Sequence, residues 1–157
     1  MTAQPKGPAD PNAERARWMA VLARATRHEL EAAWQGLGAR PPYAFLRQPE
    51  IGLVMVRGRA GGTGSPFNFG EMTVTRCTVR LEDGRVGHCY AAGRDKRKAE
   101  LAALFDALMQ GGEAARLQET VIAPIARRVA EQRRRVSRKA AATKVDFFTL
   151  VRGDNPQ

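Results

Sequence analysis

A glycine-rich loop is the first stretch whose residue types could do chemistry. Residues 61–70 contain four glycines, and a backbone without side chains can approach a phosphate closely. The loop has neither the lysine-containing signature of a P-loop nor the three-glycine pattern of a dinucleotide fold. It is therefore either a wide turn between strands or a place where the backbone of Gly61, Gly62 and Gly64 contacts a ligand or a partner.

Four cations, Arg94, Lys96, Arg97 and Lys98, cluster at the start of a predicted helix over residues 95–109. The helix dipole is positive at this end, so each cation costs about 0.3–1 kcal/mol unless an anion is bound. The cluster indicates either a solvated basic turn capped by an aspartate or a contact with phosphate. Arg94 and Lys96, together with Arg76 on a preceding strand, are the candidate side chains for phosphate or partner contacts.

A second basic region is a predicted helix over residues 125–144. Its apolar stripe is thin, so the helix is either solvated or lies on a partner, with Val129 and Val136 as docking side chains. Nucleic acid would use such a helix, but it carries no aromatic side chain to stack on bases, and no helix-turn-helix or zinc-binding spacing surrounds it. Its cations are Arg127, Arg128, Arg133, Arg134, Arg135, Arg138 and Lys139.

Histidines and cysteines are too few and too scattered to assemble a catalytic site. Pairing two strands from Leu81 and Val86 across an Asp-Gly turn places Cys77 and His88 on the apolar face and Cys89 on the other. The thiols then cannot bond, and His88 is expected to be a core histidine. No triad, carboxylate pair or metal-ligand cluster is evident, so we predict no catalytic residue and no metal site.

Helix and strand signals predict an α+β fold with an antiparallel sheet of four to five strands, an N-terminal helical hairpin and C-terminal helices packed against the sheet. Residues 1–12 are expected to form a disordered leader, and residues 13–157 a single domain. The predicted helices are 12–25, 26–36, 95–109 and 113–144, the last interrupted at Pro124, and the predicted strands are 43–46, 51–59, 71–81, 86–92 and 145–151.

Composition is that of a folded protein with an anionic partner. The chain has 157 residues, of which 43% are hydrophobic and 27% charged, and this balance excludes a disordered chain or a coiled-coil rod. A formal charge of +10 predicts binding to something anionic, such as nucleic acid, a phosphate-bearing substrate or an acidic protein. With no apolar run long enough for a membrane span and no secretory signal, we expect a cytoplasmic protein with reduced thiols.

Five blocks of sequence carry a family resemblance through their order and spacing. They read RWMAVLA (17–23), AGGTG (60–64), FNFGEMTVTRC (67–77), GRDK (93–96) and VDFFTLVRGD (145–154). In this combination the chain resembles the G subunit of the bacterial carbon-phosphorus lyase core complex, from about residue 14 to residue 155.

The resemblance implies a place in phosphonate catabolism, in a complex with H, I and J subunits present in two copies each. In that family the I subunit, supported by G, H and an ATP-binding-cassette-like protein, exchanges the adenine of ATP for a phosphonate such as methylphosphonate. The product is a ribose 1-phosphonate 5-triphosphate. Carbon-phosphorus cleavage then uses an iron-sulfur cluster and S-adenosylmethionine in the J subunit, which implies that this chain holds no cofactor.

We therefore expect an accessory subunit without activity in isolation, free to self-associate when its partners are absent. The resemblance favours Phe147, Phe148 and Arg152, with Val129 and Val136, as interface residues, and it implies neither a nucleic-acid nor a membrane partner. The rival interpretations are a stand-alone basic nucleic-acid-binding protein and a self-sufficient phosphotransferase.

Overall fold

A three-stranded sheet and one buried helix organise the chain. The computed structural model of the protein describes residues 11–59 and 64–142. It begins with helices α1 (Pro11–Arg24) and α2 (Arg27–Gln35), followed by strands β1 (Tyr43–Arg59), β2 (Pro66–Leu81) and β3 (Val86–Ala92). Helices α3 (Lys96–Leu108), α4 (Ala114–Leu117) and α5 (Ala123–Ala142) follow, with a π-helical turn (Gln118–Ile122) between α4 and α5. The predicted α+β class is confirmed.

The two N-terminal helices meet at a tight turn around Thr26. The Thr26 hydroxyl accepts a hydrogen bond from the Glu29 amide (3.2 Å), and the Glu29 carboxylate accepts one from the Thr26 amide (2.7 Å). This capping box fixes the start of α2 because it satisfies amides that the helix itself leaves without acceptors. Leu22 and Leu30 are buried beneath the pair, so the predicted helical hairpin is confirmed.

The sheet is antiparallel with the strand order β1-β2-β3 in the described residues, where the sequence predicted four to five strands. Two predicted strands, 43–46 and 51–59, form the single strand β1. Register shifts between Phe45 and Glu50 carry the chain past Pro49 without ending the ladder. The predicted strand 145–151 lies outside the described residues. For the described part of the chain, the predicted number of strands is wrong.

The turn between β2 and β3 is longer than the predicted one. Residues 82–84 connect Leu81 to Arg85, whose carbonyl accepts a hydrogen bond from the Leu81 amide (2.9 Å). Gly84 has a φ of 90°, the left-handed conformation that closes a three-residue hairpin loop. The Asp-Gly pair is therefore part of a three-residue turn, not a two-residue one.

This turn shifts the register by one residue and inverts the side chains of β3. Cys89 lies opposite Cys77, and both are buried free thiols. His88 and Tyr90 are exposed. The predictions that the cysteines face opposite sides and that His88 is a core histidine are therefore wrong.

Helix α3 is the centre of the core. The Asp95 side chain caps it by accepting a hydrogen bond from the Lys98 amide (2.9 Å), as predicted. Residues 101–109 are all buried because α3 contacts β2 and β3 as well as α1 and α2. On the sheet side, Gly87 permits a very close approach: a Cβ atom there would lie 1.9 Å from the Ala103 carbonyl oxygen.

The C-terminal helices are joined by the π-helical turn that precedes Pro124. The Ala123 amide donates to the Gln118 carbonyl, five residues earlier, so the interruption predicted at Pro124 is a local widening of a continuous helix. Leu117 and Ile125 are buried against the core, whereas residues 130–141 of α5 are exposed. No described helix is long and apolar enough to cross a membrane.

Candidate functional site

The basic start of α3 divides into paired and exposed cations. The Arg97 guanidinium lies 3.0 Å from the Glu100 carboxylate and 3.8 Å from that of Glu31, so its charge is compensated. Arg94 and Lys96 are exposed, and neither has an ion pair with another described residue. Because the Asp95 carboxylate already occupies one first-turn amide, an anion here would be held mainly by those two side chains.

Arg76 lies on the outer face of the sheet and bonds to β1. Its Nε lies 2.6 Å from the Glu50 Oε1 atom, which the Arg47 guanidinium also approaches to 2.6 Å. These two hydrogen bonds lower the pKa of Glu50 below its ordinary value. The charge of Arg76 is thus shared with a carboxylate, and its visible role is to tie β2 to β1.

The structure places the glycine loop far from the basic start of α3. Arg94 follows β3, whose last residue pairs with Val74, whereas Gly64 precedes the start of β2 at Pro66. Eight strand residues separate these points, which corresponds to roughly 25 Å. Gly61 and Gly62 lie outside the described residues. Gly64 and the pair Arg94 and Lys96 therefore lie at separate places, and Arg76 is bonded to Glu50 on the outer face of the sheet.

The predicted interface residues lie in different environments. Val129 is half-buried and packs against the protein's own core, whereas 62% of Val136 is exposed. Phe147, Phe148 and Arg152 lie outside the described residues.

A projecting part of the β1–β2 hairpin carries most of the exposed apolar surface. We define the hairpin arm as residues 51–59 of β1 with residues 66–73 of β2. Ile51, Leu53 and Met55 alternate along one strand and therefore share a face, which is the face that α3 covers nearer the core. The other large exposed apolar side chains of the arm are Phe67, Phe69 and Met72.

The opposite face of the arm is apolar as well. Val54 pairs with Met72 across the ladder, and Val54 and Val56 are only half-buried. Phe67 and Phe69 contact each other edge to face, with ring centroids 6.4 Å apart. An exposed strand pair with apolar residues on both faces is typical of a surface that a partner covers.

A polar cluster inside the core was not predicted from the sequence. Asp106 is fully buried, and its Oδ1 accepts hydrogen bonds from the Trp18 Nε1 (2.8 Å) and the Arg15 Nε (3.2 Å). Its Oδ2 accepts from the Arg15 Nη2 (2.7 Å) and the His88 amide (2.8 Å). Four donors satisfy the carboxylate, which joins α1, α3 and β3. The available signal was an aspartate inside an otherwise apolar helical run.

The remaining reactive groups are unsuited to catalysis. Burial raises the pKa of both Cys77 and Cys89 to about 12, so both remain neutral thiols near pH 7 and are poor nucleophiles. The His88 imidazole has one hydrogen-bond partner among the described residues, the Thr78 hydroxyl (3.2 Å). The described part of the chain contains no group of side chains suited to hold a metal ion.

Comparisons with known proteins show the family of the chain. The family described as "Phosphonate metabolism protein PhnG" matches residues 13–153. A relative from Rhizobium meliloti (strain 1021), named "Alpha-D-ribose 1-methylphosphonate 5-triphosphate synthase subunit PhnG", is 50% identical over 143 residues, which cover 91% of this chain and 92% of the relative. The chain therefore belongs to the family of phosphonate metabolism protein PhnG.

Proposed function

We propose that this chain is an accessory subunit of the complex that transfers the ribose triphosphate of ATP to a phosphonate such as methylphosphonate and releases adenine. A relative that is 50% identical over almost its whole length carries the name of a subunit of this synthase. The enzymatic label belongs to the complex, and we expect no turnover from the isolated chain.

The observation that carries the proposal is the hairpin arm. Six large apolar side chains of the arm are at least 41% exposed, from Ile51 to Phe69 at 75%. Burying such side chains stabilises an interface by about 25 cal/mol per Å² of apolar area. The arm does not gain this free energy while it is exposed to water, whereas burial in a subunit interface would gain it. The arm therefore supports a role in assembly.

The partners we propose are the H, I and J subunits of the carbon-phosphorus lyase core complex. ATP and the phosphonate are then substrates of the assembly, and the iron-sulfur cluster and S-adenosylmethionine of the later cleavage belong to another subunit. Arg94, Lys96, Arg76 and the glycine loop are the proposed phosphate or partner contacts of this chain. Their separation favours contacts at different points of the assembly over one common phosphate site.

Reconstitution tests the proposal. The subunits are co-expressed with and without this chain, and adenine release from ATP and methylphosphonate is measured by chromatography. We expect omission of the chain to lower both assembly and adenine release by about tenfold or more. Equal release without the chain would contradict the accessory role, and adenine release by the isolated chain would instead support a self-sufficient transferase.

A pair of variants tests the arm itself. Leu53→Asp combined with Phe69→Asp places two charges on the exposed arm, and we expect the chain to fold but to be lost from the purified complex. The matched comparison is between the single variants Leu53→Asp and Leu46→Asp, because Leu46 is 52% exposed on the same strand outside the arm. Retention of the double variant in the complex would exclude the arm as a docking surface.

A further inference from the structure

The second half of α5 is the other part of the molecule that projects from the core. The first half is anchored by Ile125, which is buried, and by Arg128, whose Nη2 lies 2.9 Å from the Glu29 carboxylate and 3.0 Å from the Arg24 carbonyl oxygen. From residue 130 to residue 141 every side chain is exposed. At 1.5 Å per residue, this helix extends roughly 18 Å without support from the described core.

The inner face of this projection continues the side of α5 that packs on the core. Ile125 and Val129 face the core, and the spacing of three and four residues that keeps side chains on one helix face leads on to Gln132 and Val136. Gln132, Arg135 and Val136 line an open groove of about 360 Å³. We call this surface, with Arg133 at its border, the inner face of α5.

The charge pattern of the projection is unfavourable in isolation. Glu131 is the single carboxylate in residues 130–141. It lines the groove and pairs with Arg134 (3.0 Å) and Arg138 (3.5 Å), which lie on the other side of the helix. Cations four residues apart, such as Arg135 and Lys139, which both line the groove, repel one another by about 0.2–0.5 kcal/mol. A helix this short gains little stability without tertiary packing. An external anionic surface would offset both costs.

We propose that the inner face of α5 binds an acidic surface on a partner subunit, in which carboxylates surround a small apolar contact. The exposed Val136 supplies the apolar contact, and Arg133 and Arg135 provide the complementary charge. This inference rests on the proposed function, since it assigns a second docking surface of the same subunit. Carboxylates of the partner would form charge-assisted hydrogen bonds with the two guanidinium groups.

The side chains favour a protein partner over nucleic acid or a lipid surface. Residues 123–142 contain no aromatic side chain that could stack on bases. One valine among the exposed residues is too little apolar area for a helix to lie in a bilayer interface. A narrow apolar contact bordered by arginines is the arrangement found where a charged helix docks on another protein.

Two variants with equal charge change test the proposal. Arg133→Gln with Arg135→Gln removes two cations of the inner face, and Arg134→Gln with Arg138→Gln removes two from the other side. Glutamine has almost the helix propensity of arginine, so the helix is preserved in both. Each chain is titrated against the co-purified remaining subunits at about 50 mM and about 300 mM salt.

We expect the inner-face variant to bind about tenfold more weakly at low salt and the difference to shrink at high salt. The control should stay within about twofold of the unmodified chain. Equal effects of both variants, or a loss independent of salt, would overturn the proposal. If the unmodified chain does not bind the other subunits at all, the proposed function fails instead.

Further measurements distinguish a protein partner from other molecules that could cover the inner face of α5. The unmodified chain could bind duplex DNA or phosphatidylserine vesicles more tightly than it binds the subunits. If only the inner-face variant abolishes that binding, the ligand of this face is DNA or lipid and the proposed protein partner is wrong. A melting temperature of the isolated chain lowered by more than about 2 °C by the inner-face variant alone would indicate that the chain covers this face itself, which would also overturn the proposal.

Discussion

Helices α3 and α5 show how differently two helices of one small protein can be used. Residues 101–109 of α3 are buried on all sides, and the carboxylate of this segment, Asp106, has four hydrogen-bond donors from α1 and β3. The second half of α5 is exposed on all sides, and the ion-pair partners of its carboxylate, Glu131, among the described residues are arginines of the same helix.

The difference teaches that, within residues 11–59 and 64–142, the core forms without the projecting parts. Apolar contacts and a satisfied polar cluster hold α1, α3 and the near half of the sheet together. The hairpin arm and the end of α5 add surface without adding core. The stability of the fold should therefore depend on α1, α3 and the near half of the sheet, and assembly should depend on the hairpin arm and the end of α5.

The largest expected difference in stability is between variants of the two carboxylates, Asp106 and Glu131. Asp106→Ala removes the acceptor of the Trp18 indole and the counter-charge of Arg15, which keeps only the Val86 carbonyl as an acceptor, so we expect a loss of about 3–5 kcal/mol in the free energy of unfolding. Glu131→Ala removes exposed ion pairs and should cost less than about 1 kcal/mol. Urea unfolding of both variants measures the contrast, and similar losses would show that α5 is part of the core.

Two strand glycines give the next contrast. Gly87→Ala places a methyl group 1.9 Å from the Ala103 carbonyl oxygen and 2.6 Å from the Ala107 amide nitrogen, so α3 must move away from the sheet. We expect a destabilisation of about 1–3 kcal/mol. Gly52→Ala is the control, because no atom lies within 4 Å of its added Cβ. Thermal unfolding should separate the two variants, and an unchanged melting temperature for Gly87→Ala would contradict this close packing.

Two valines of α5 locate the border between core and projection. Val129→Ala removes methyl groups that pack against the core and should cost about 0.5–1.5 kcal/mol. Val136→Ala, seven residues later, removes the same groups from an exposed position and should change stability by less than about 0.5 kcal/mol. If chemical unfolding gives equal values, the border does not lie between these residues.

The smallest effect is the pH dependence of the contact between α2 and α5. Burial raises the pKa of Glu29, but hydrogen bonds from Arg128 and Thr26 outweigh it, and the net pKa is below the ordinary 4.5. A carboxyl with a lowered pKa stabilises the fold above its unfolded pKa, and that stabilisation is lost as the pH falls through the folded pKa. Stability should thus fall below about pH 4.5, and Glu29→Gln should flatten this part of the profile measured by urea unfolding.

Local signals in the sequence predicted much of the fold. The starts predicted for α2, at residue 26, and for α3, at residue 95, are confirmed, because Thr26 and Asp95 cap these helices through residues only three positions away. The turn at Gly84 was recognised, but its length was not, since two-residue and three-residue hairpins share the same Asp-Gly signal. That single residue decided the orientation of every side chain in β3.

Long-range contacts could not be predicted in the same way. Asp106 interacts with Arg15, which is 91 positions away, and nothing in the local spacing of either residue shows the other. The uncovered faces of the hairpin arm also escape sequence patterns, because an apolar alternation looks the same whether the protein's own helices or a partner covers it. The distance between the glycine loop and the start of α3 also depends on how the strands pair, so the sequence did not show that these predicted phosphate contacts lie apart.

The Asp106 cluster also has a consequence for the order of folding. On the ribosome, α1 emerges before β3 and α3, and the Asp106 carboxylate that accepts from Trp18 and Arg15 lies 88 and 91 positions further along the chain. Contacts that close so long a loop form late and slow the search for the native state. We therefore expect α1 to dock only after α3 has left the ribosome, so that α1 stays undocked while the whole sheet is being synthesised.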